Sequence, residues 1–157
     1  MNRRQVIAAA AATLAAPRLL AEPGFTLVTR SLAAAEQRYE LEHGDTASDV
    51  ARTRSLFPSI RILSPLAQGG ETTSPLRIEL VFETSGDARI VPSTFKVLYG
   101  FLKIDLTDSV RQNASVNEKG LLAEKAAVPK GKHRLFLQVS DDKGRTTEQE
   151  LKVTVSG

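Results

Sequence analysis

The side chains that do chemistry at neutral pH are sparse in this sequence, and their spacing points to structural work. Its two histidines, His43 and His133, lie far apart, and there is no cysteine. A transition-metal site draws three or four ligands from His, Cys and carboxylates, so this pair offers little to build on. The missing cysteine excludes disulfides, thiolate metal sites, a cysteine nucleophile and a lipidated cysteine anchor. His133 is in phase with Leu135 and Leu137. That places its imidazole on the inward side at the start of a strand, where the alternatives are a ligand or acid–base role and a bond to backbone at the rim of the core; we read the latter. His43 stands near a probable helix end, where an imidazolium interacts with the helix dipole.

The remaining candidates read the same way. Asp141-Asp142 has the oxygen chemistry of a calcium ligand, but no repeated Asp/Asn spacing surrounds it, and Lys143-Gly144 completes a hairpin turn. Glu36, Glu40 and Glu42 with Arg38 form a charged group that we read as a solvated helix face. Lys130, Lys132 and Arg134 form a small basic cluster, offset by the two aspartates of the same hairpin. Asn113-Ala114-Ser115 matches the glycosylation triplet and is read as chance. No nucleophile elbow is present, and Gly69-Gly70 stands alone rather than in a phosphate loop. No catalytic, cofactor-binding or metal-ligating set is named, and a non-enzyme without cofactor is expected.

These residues are positioned by a chain of ordinary globular composition, with 157 residues, 41% hydrophobic and 25% charged. One domain plus a tail is the expectation. The net charge of +3 rests on Arg3, Arg4 and Arg18. Without them the basic residues equal the 18 acidic ones, which removes the case for nucleic-acid binding. Aromatics are 5% and tryptophan is absent, which counts against stacking platforms.

From Lys130 to Val155 the chain alternates on both sides of a polar turn. Leu135, Leu137 and Val139 go up, and Leu151, Val153 and Val155 come back. A period of two around Asp141–Gly144, where Gly144 takes positive φ without steric cost, predicts an antiparallel hairpin with one buried face. Upstream, strands are predicted at Ile60–Leu63, at Leu76–Glu83, at Ile90-Val91 (ended by Pro92), and from Phe95 to Leu106. In the last, Gly100 marks a bulge or break, and Leu98, Leu102, Ile104 and Leu106 point inward. Thr107 to Lys119 reads as a loop or single helical turn, and Leu121–Val128 as another strand. About seven short strands in roughly 100 residues predict an all-β sandwich. Before it, a short helix is expected from Ser31 as N-cap to Gly44 as stop, with Leu32, Ala35, Tyr39 and Glu42 on one side. Residues 45–55 read as a frayed second helix or linker. An arm of this kind either packs on the sandwich or stays mobile until something binds it.

The chain opens with Arg3-Arg4, then Gln5, then Val6-Ile7, followed by an alanine-rich run to Ala16 that is too short to span a bilayer. In this it resembles the twin-arginine translocation signals of bacteria, although Asn2 and Ala8 depart from the usual residues. The resemblance implies export of an already folded protein, with cleavage after Ala21 and no stable membrane anchor afterwards. The last 100 residues resemble bacterial immunoglobulin-like domains, through Gly131-Lys132-His133, the strand from Arg134 to Ser140, the Asp141–Gly144 turn and the strand from Leu151 to Val155. The organisation expected is a signal peptide at 1–21, a partly helical arm at 22–56 and an immunoglobulin-like β-sandwich at 57–157. The function expected is an exported periplasmic module that binds another protein, an accessory to an exported redox enzyme being one such role. The alternative is an envelope polysaccharide-binding module.

Overall fold

The computed structural model describes residues 24–44, 56–65 and 70–157. Arg3, Arg4 and Ala21, the proposed export signal and cleavage site, lie outside the described residues, as does the 45–55 segment. Two sheets face each other. One has the strand order β1-β3-β7-β6, built from β1 (Ser59–Ser64), β3 (Leu76–Glu83), β7 (Gly120–Ala126) and β6 (Ala114–Asn117). The other runs β2-β9-β8-β4-β5, from β2 (Glu71–Thr72), β9 (Thr146–Val155), β8 (Gly131–Asp141), β4 (Ile90–Tyr99) and β5 (Ile104–Asp105). Neighbours are antiparallel except for the two-residue β2–β9 pair. The β-sandwich expected from the alternation is the fold observed.

Each sheet turns one apolar face inward. Ile60, Leu76, Ile78, Leu80, Phe82, Leu121 and Ala123 meet Phe95, Val97, Tyr99, Leu135, Leu137, Val139, Leu151, Val153 and Val155. Each large aliphatic or aromatic side chain buried this way contributes roughly 1.5–3 kcal/mol. A cavity between the sheets, lined by Leu80, Phe95, Leu137 and Leu151 among others, has a volume of only about 10 Å³, room for no more than one water, in a core that holds neither disulfide nor tryptophan. The β8–β9 hairpin is the longest ladder, in unbroken register from Gly131↔Val155 to Ser140↔Thr146.

The run from Ile90 to Leu106 differs from expectation in two ways, at Pro92 and in its inward phase. Pro92 does not end a strand: β4 continues through it, with a register shift against β8 between Val91 and Lys96. There the Thr94 hydroxyl accepts from Ser140 N–H at 2.9 Å and donates to Val91 O at 2.6 Å, replacing ladder bonds that the irregular stretch lacks. Of the two alternatives at Gly100 the break is the one observed: at φ +67° it ends β4 and reverses the chain into β5. The inward phase is also offset by one. Phe95, Val97 and Tyr99 are buried, whereas Leu102 and Ile104 are exposed. Further on, residues 107–119 hold more structure than a loop: helix α2 (Thr107–Asn113) and then β6. Since the two strands expected at Ile90-Val91 and from Phe95 share β4, and β2, β5 and β6 are added, the described residues form nine strands rather than seven.

Helix α2 packs beside the outer edge of β4. Val97 N–H donates to Thr107 Oγ1 and Val97 O accepts from Leu106 N–H. Arg111 Nη2 reaches the carbonyls of Pro92, Ser93 and Phe95 at 3.2, 2.6 and 3.0 Å. These bonds occupy backbone groups that an edge strand otherwise leaves bare.

Of the two fates open to the arm, the described residues 24–44 take the packed one. Thr26 bridges Ala127 in parallel, and Leu27 and Val28 belong to the core. Helix α1 (Arg30–His43) follows and ends at Gly44, as expected. Its N-cap is Thr29 rather than Ser31; Thr29 Oγ1 accepts from Leu32 N–H at 3.2 Å. The helix is rotated relative to the expected face, so that Ala33 and Glu36 are its fully buried residues.

Candidate functional site

Two polar inclusions lie close together where α1 crosses the end of the five-stranded sheet. In the first, His133 at the start of β8 is buried and bonded through both ring nitrogens, Nε2 to Pro129 O at 2.7 Å and Nδ1 to Tyr99 Oη at 2.9 Å. A carbonyl can only accept, so Nε2 carries the proton and Nδ1 accepts from the tyrosine hydroxyl. Burial lowers the His133 pKa, only partly offset by the Pro129 bond and by Glu40. Burial likewise raises that of Tyr99, with Glu36 and Glu40 adding to it. His133 is thus a neutral bridge at the rim of the core. This is the backbone-bonding role read from its phase.

The second inclusion centres on Glu36, which the sequence reading placed on a solvated face. It is 4% exposed. Its Oε1 accepts from Phe101 N–H at 2.8 Å, and the carboxylate rests on Gly100, where any Cβ would overlap it. Burial raises the Glu36 pKa, against the lowering influence of the Phe101 bond, and Glu40 raises it further while Arg134 lowers it. Arg134 is also buried, so no exposed cluster forms with Lys130 and Lys132. Its guanidinium lies 4.4 Å from the Phe101 ring centroid, and its Nε sits 3.0 Å from Glu150 Oε1, a charge contact not aligned as a hydrogen bond. Phe101 in turn packs on Tyr39 of α1 at 5.5 Å between centroids. Alternation gave no sign of this, because it assigns Arg134 to the solvent side of β8. The only sequence signal was Gly100, a residue without a side chain in an otherwise apolar run.

The other candidates fall elsewhere. His43 Nδ1 lies 3.1 Å from Tyr39 O at the C-terminal end of α1, and its ring stacks on Tyr39 at 4.1 Å. Asp141 closes the β8–β9 turn by accepting from Lys143 N–H, Arg145 N–H and the Arg145 guanidinium, with bonds of 2.7–3.0 Å. Burial opposes its charge, but the Arg145 and Lys143 bonds outweigh it and hold the pKa low. The turn reading of Asp141 therefore stands. Asn113 ends α2 with its amide donating to Ser109 O. It also borders a polar groove of about 350 Å³ lined by Gln112, Asn113, Ala114, Ser115, Leu122 and Glu124. Among the described residues no three His, Asp or Glu side chains converge as metal ligands.

No protein-family model and no curated protein sequence matches the chain. Solved structures that the chain matches include CopC from Methylosinus trichosporium OB3b, 14% identical over 66% of this chain and 94% of that one, with a TM-score of 0.43. Another is an engineered protein, 12% identical over 64% of this chain and 20% of that one, with a TM-score of 0.42.

Proposed function

We propose that this is an exported, non-catalytic protein of the periplasm whose sandwich, of the immunoglobulin-like kind, serves to bind another protein through the α1 corner. The observation that carries the reading is the way α1 is held. It contributes only Ala33 and Glu36 as fully buried residues, and it displays Leu41 at 86% exposure. An element that gives so little to the core, yet is kept in one place by a buried carboxylate, is suited to contact rather than to stability. Arg3-Arg4 and the alanine-rich run behind them support export.

The test is affinity capture of the tagged, exported protein from periplasm, beside Leu41→Glu and Arg38→Glu variants. A stoichiometric partner lost in these variants is the expected result. A partner retained in both rules out the α1 corner. Removing residues 22–56 outright is the poorer test, since it also removes Leu27 and Val28 from the core. Replacing Arg3 and Arg4 by lysine should leave the precursor in the cytoplasm; unchanged export would remove the twin-arginine route.

The second reading, envelope polysaccharide binding, is favoured by the polar groove at Gln112, Asn113, Ser115 and Glu124. Amide, hydroxyl and carboxylate groups there match the hydroxyls of a neutral sugar. Retention on cell-wall glycans that is lost in Glu124→Ala supports it, and no retention removes it.

A further inference from the structure

Glu36 occupies a setting that is complementary to a carboxylate in three independent ways. Phe101 offers a backbone N–H at 2.8 Å. Gly100, buried and at φ +67°, has no Cβ, so the carboxylate lies directly against the turn. Arg134, itself buried, lies with its guanidinium 4.4 Å from the centroid of the Phe101 ring, and its positive charge favours the carboxylate. These parts come from β8 and from the turn between β4 and β5, whereas the carboxylate comes from α1, far away in sequence. The receptor thus belongs to the sandwich, and its occupant belongs to the arm.

We propose that Gly100, Phe101 and Arg134 form a carboxylate-binding cradle that Glu36 fills in cis, and that its ligand in trans is an acidic side chain of the bound protein, admitted as α1 lifts. The trans ligand rests on the protein-binding reading above; the cradle does not. The cis occupant is a poor permanent filling. From the turn after β4 it draws the Phe101 N–H, and burial works against its charge. Among the described residues, α1 also meets the sandwich through the Tyr39–Phe101 ring contact, the Gln37 amide against Gly131, and Leu32 and Ala33 at the core. Glu36 is presented by a packed helix, not by a flexible linker, so a partner displaces it only by adding contacts of its own.

The cradle is tested by chemical rescue in the full chain. In Glu36→Ala, the Phe101 amide resonance is followed by NMR while sodium acetate is raised to about 0.1 M, the range in which one charge-assisted contact saturates. Sodium chloride at equal ionic strength is the control. Acetate is expected to return the Phe101 resonance saturably toward its wild-type position, with chloride doing nothing and Glu36→Ala/Gly100→Ala not responding. Identical behaviour in acetate and chloride overturns the cradle. Hydrogen exchange in wild type gives a second readout that needs no variant. Phe101 N–H is expected to exchange at least about tenfold faster than Leu137 and Val139 N–H, through release of α1 alone. Exchange of all three at one rate means that α1 leaves only on global unfolding, which also overturns the proposal. Partner capture by folded Gly100→Ala then separates the two claims. Lost capture supports the trans ligand, and unchanged capture refutes it while leaving the protein-binding reading intact.

Discussion

Asp141 and Glu36 are both buried carboxylates, and they are stabilised in opposite ways. Asp141 collects its donors from the next four residues, so its own turn makes the site and its pKa falls. Glu36 takes its backbone N–H from Phe101 on another element, and its pKa rises. A carboxylate served by a local turn is part of folding. One served across elements records a docking event, and its charge remains a cost there.

The sharpest way to break this contrast is to remove the carboxylates in turn. Asp141→Ala strands two backbone N–H groups and the Arg145 guanidinium in a turn that closes the longest ladder. It should lower the urea midpoint at least twice as far as Glu36→Ala does; equal losses would show that the two sites are not different in kind. Gly100→Ala comes next, at about 1–3 kcal/mol, because it combines positive φ with the overlap on Glu36. Part of that loss should disappear in the Glu36→Ala background, and strict additivity in the cycle would deny the contact. Tyr99→Phe removes the donor to His133 Nδ1 and should cost about 1–2 kcal/mol at neutral pH. Thr29→Ala is smallest, about 0.5–1 kcal/mol, and should appear as faster exchange within α1 while the global denaturation midpoint barely moves.

Acid sharpens the same contrast. His133 titrates below its ordinary value, so its contribution to stability is full above about pH 6.5 and declines as pH falls toward the folded pKa. Asp141 behaves in the same sense lower down, beginning to lose its contribution as pH passes below about 3.9. Glu36 has the opposite sign. Its contribution is present below its unfolded pKa and is lost as pH rises through the folded one. Relative to His133→Gln, the wild-type denaturation midpoint should therefore lose ground between pH 7 and pH 5. A parallel decline in both would reassign the loss to other groups.

The same division governs what the amino-acid sequence disclosed. The β8–β9 hairpin was legible because alternation and turn chemistry are both short-range, and Leu135, Leu137, Val139, Leu151, Val153 and Val155 all face the core as read. His133 was placed by the same phase. The phase of Phe95–Leu106 was misread because Gly100 ends one strand and the turn after it restarts the count. The polar strand β6 escaped because Val116 is its only large apolar residue and is only half-buried. Glu36 and Arg134 were invisible for a different reason: each is covered by an element remote in sequence, and no local pattern records that.

The bonds from Arg111 to the carbonyls of Pro92, Ser93 and Phe95 also bear on how the molecule behaves in a crowd. A sheet grows into a fibril by adding foreign backbone to an open ladder, and on this side the acceptors are already taken. Misassembly along β4 must first unseat one guanidinium, so a single side chain acts here as a gatekeeper against polymerisation.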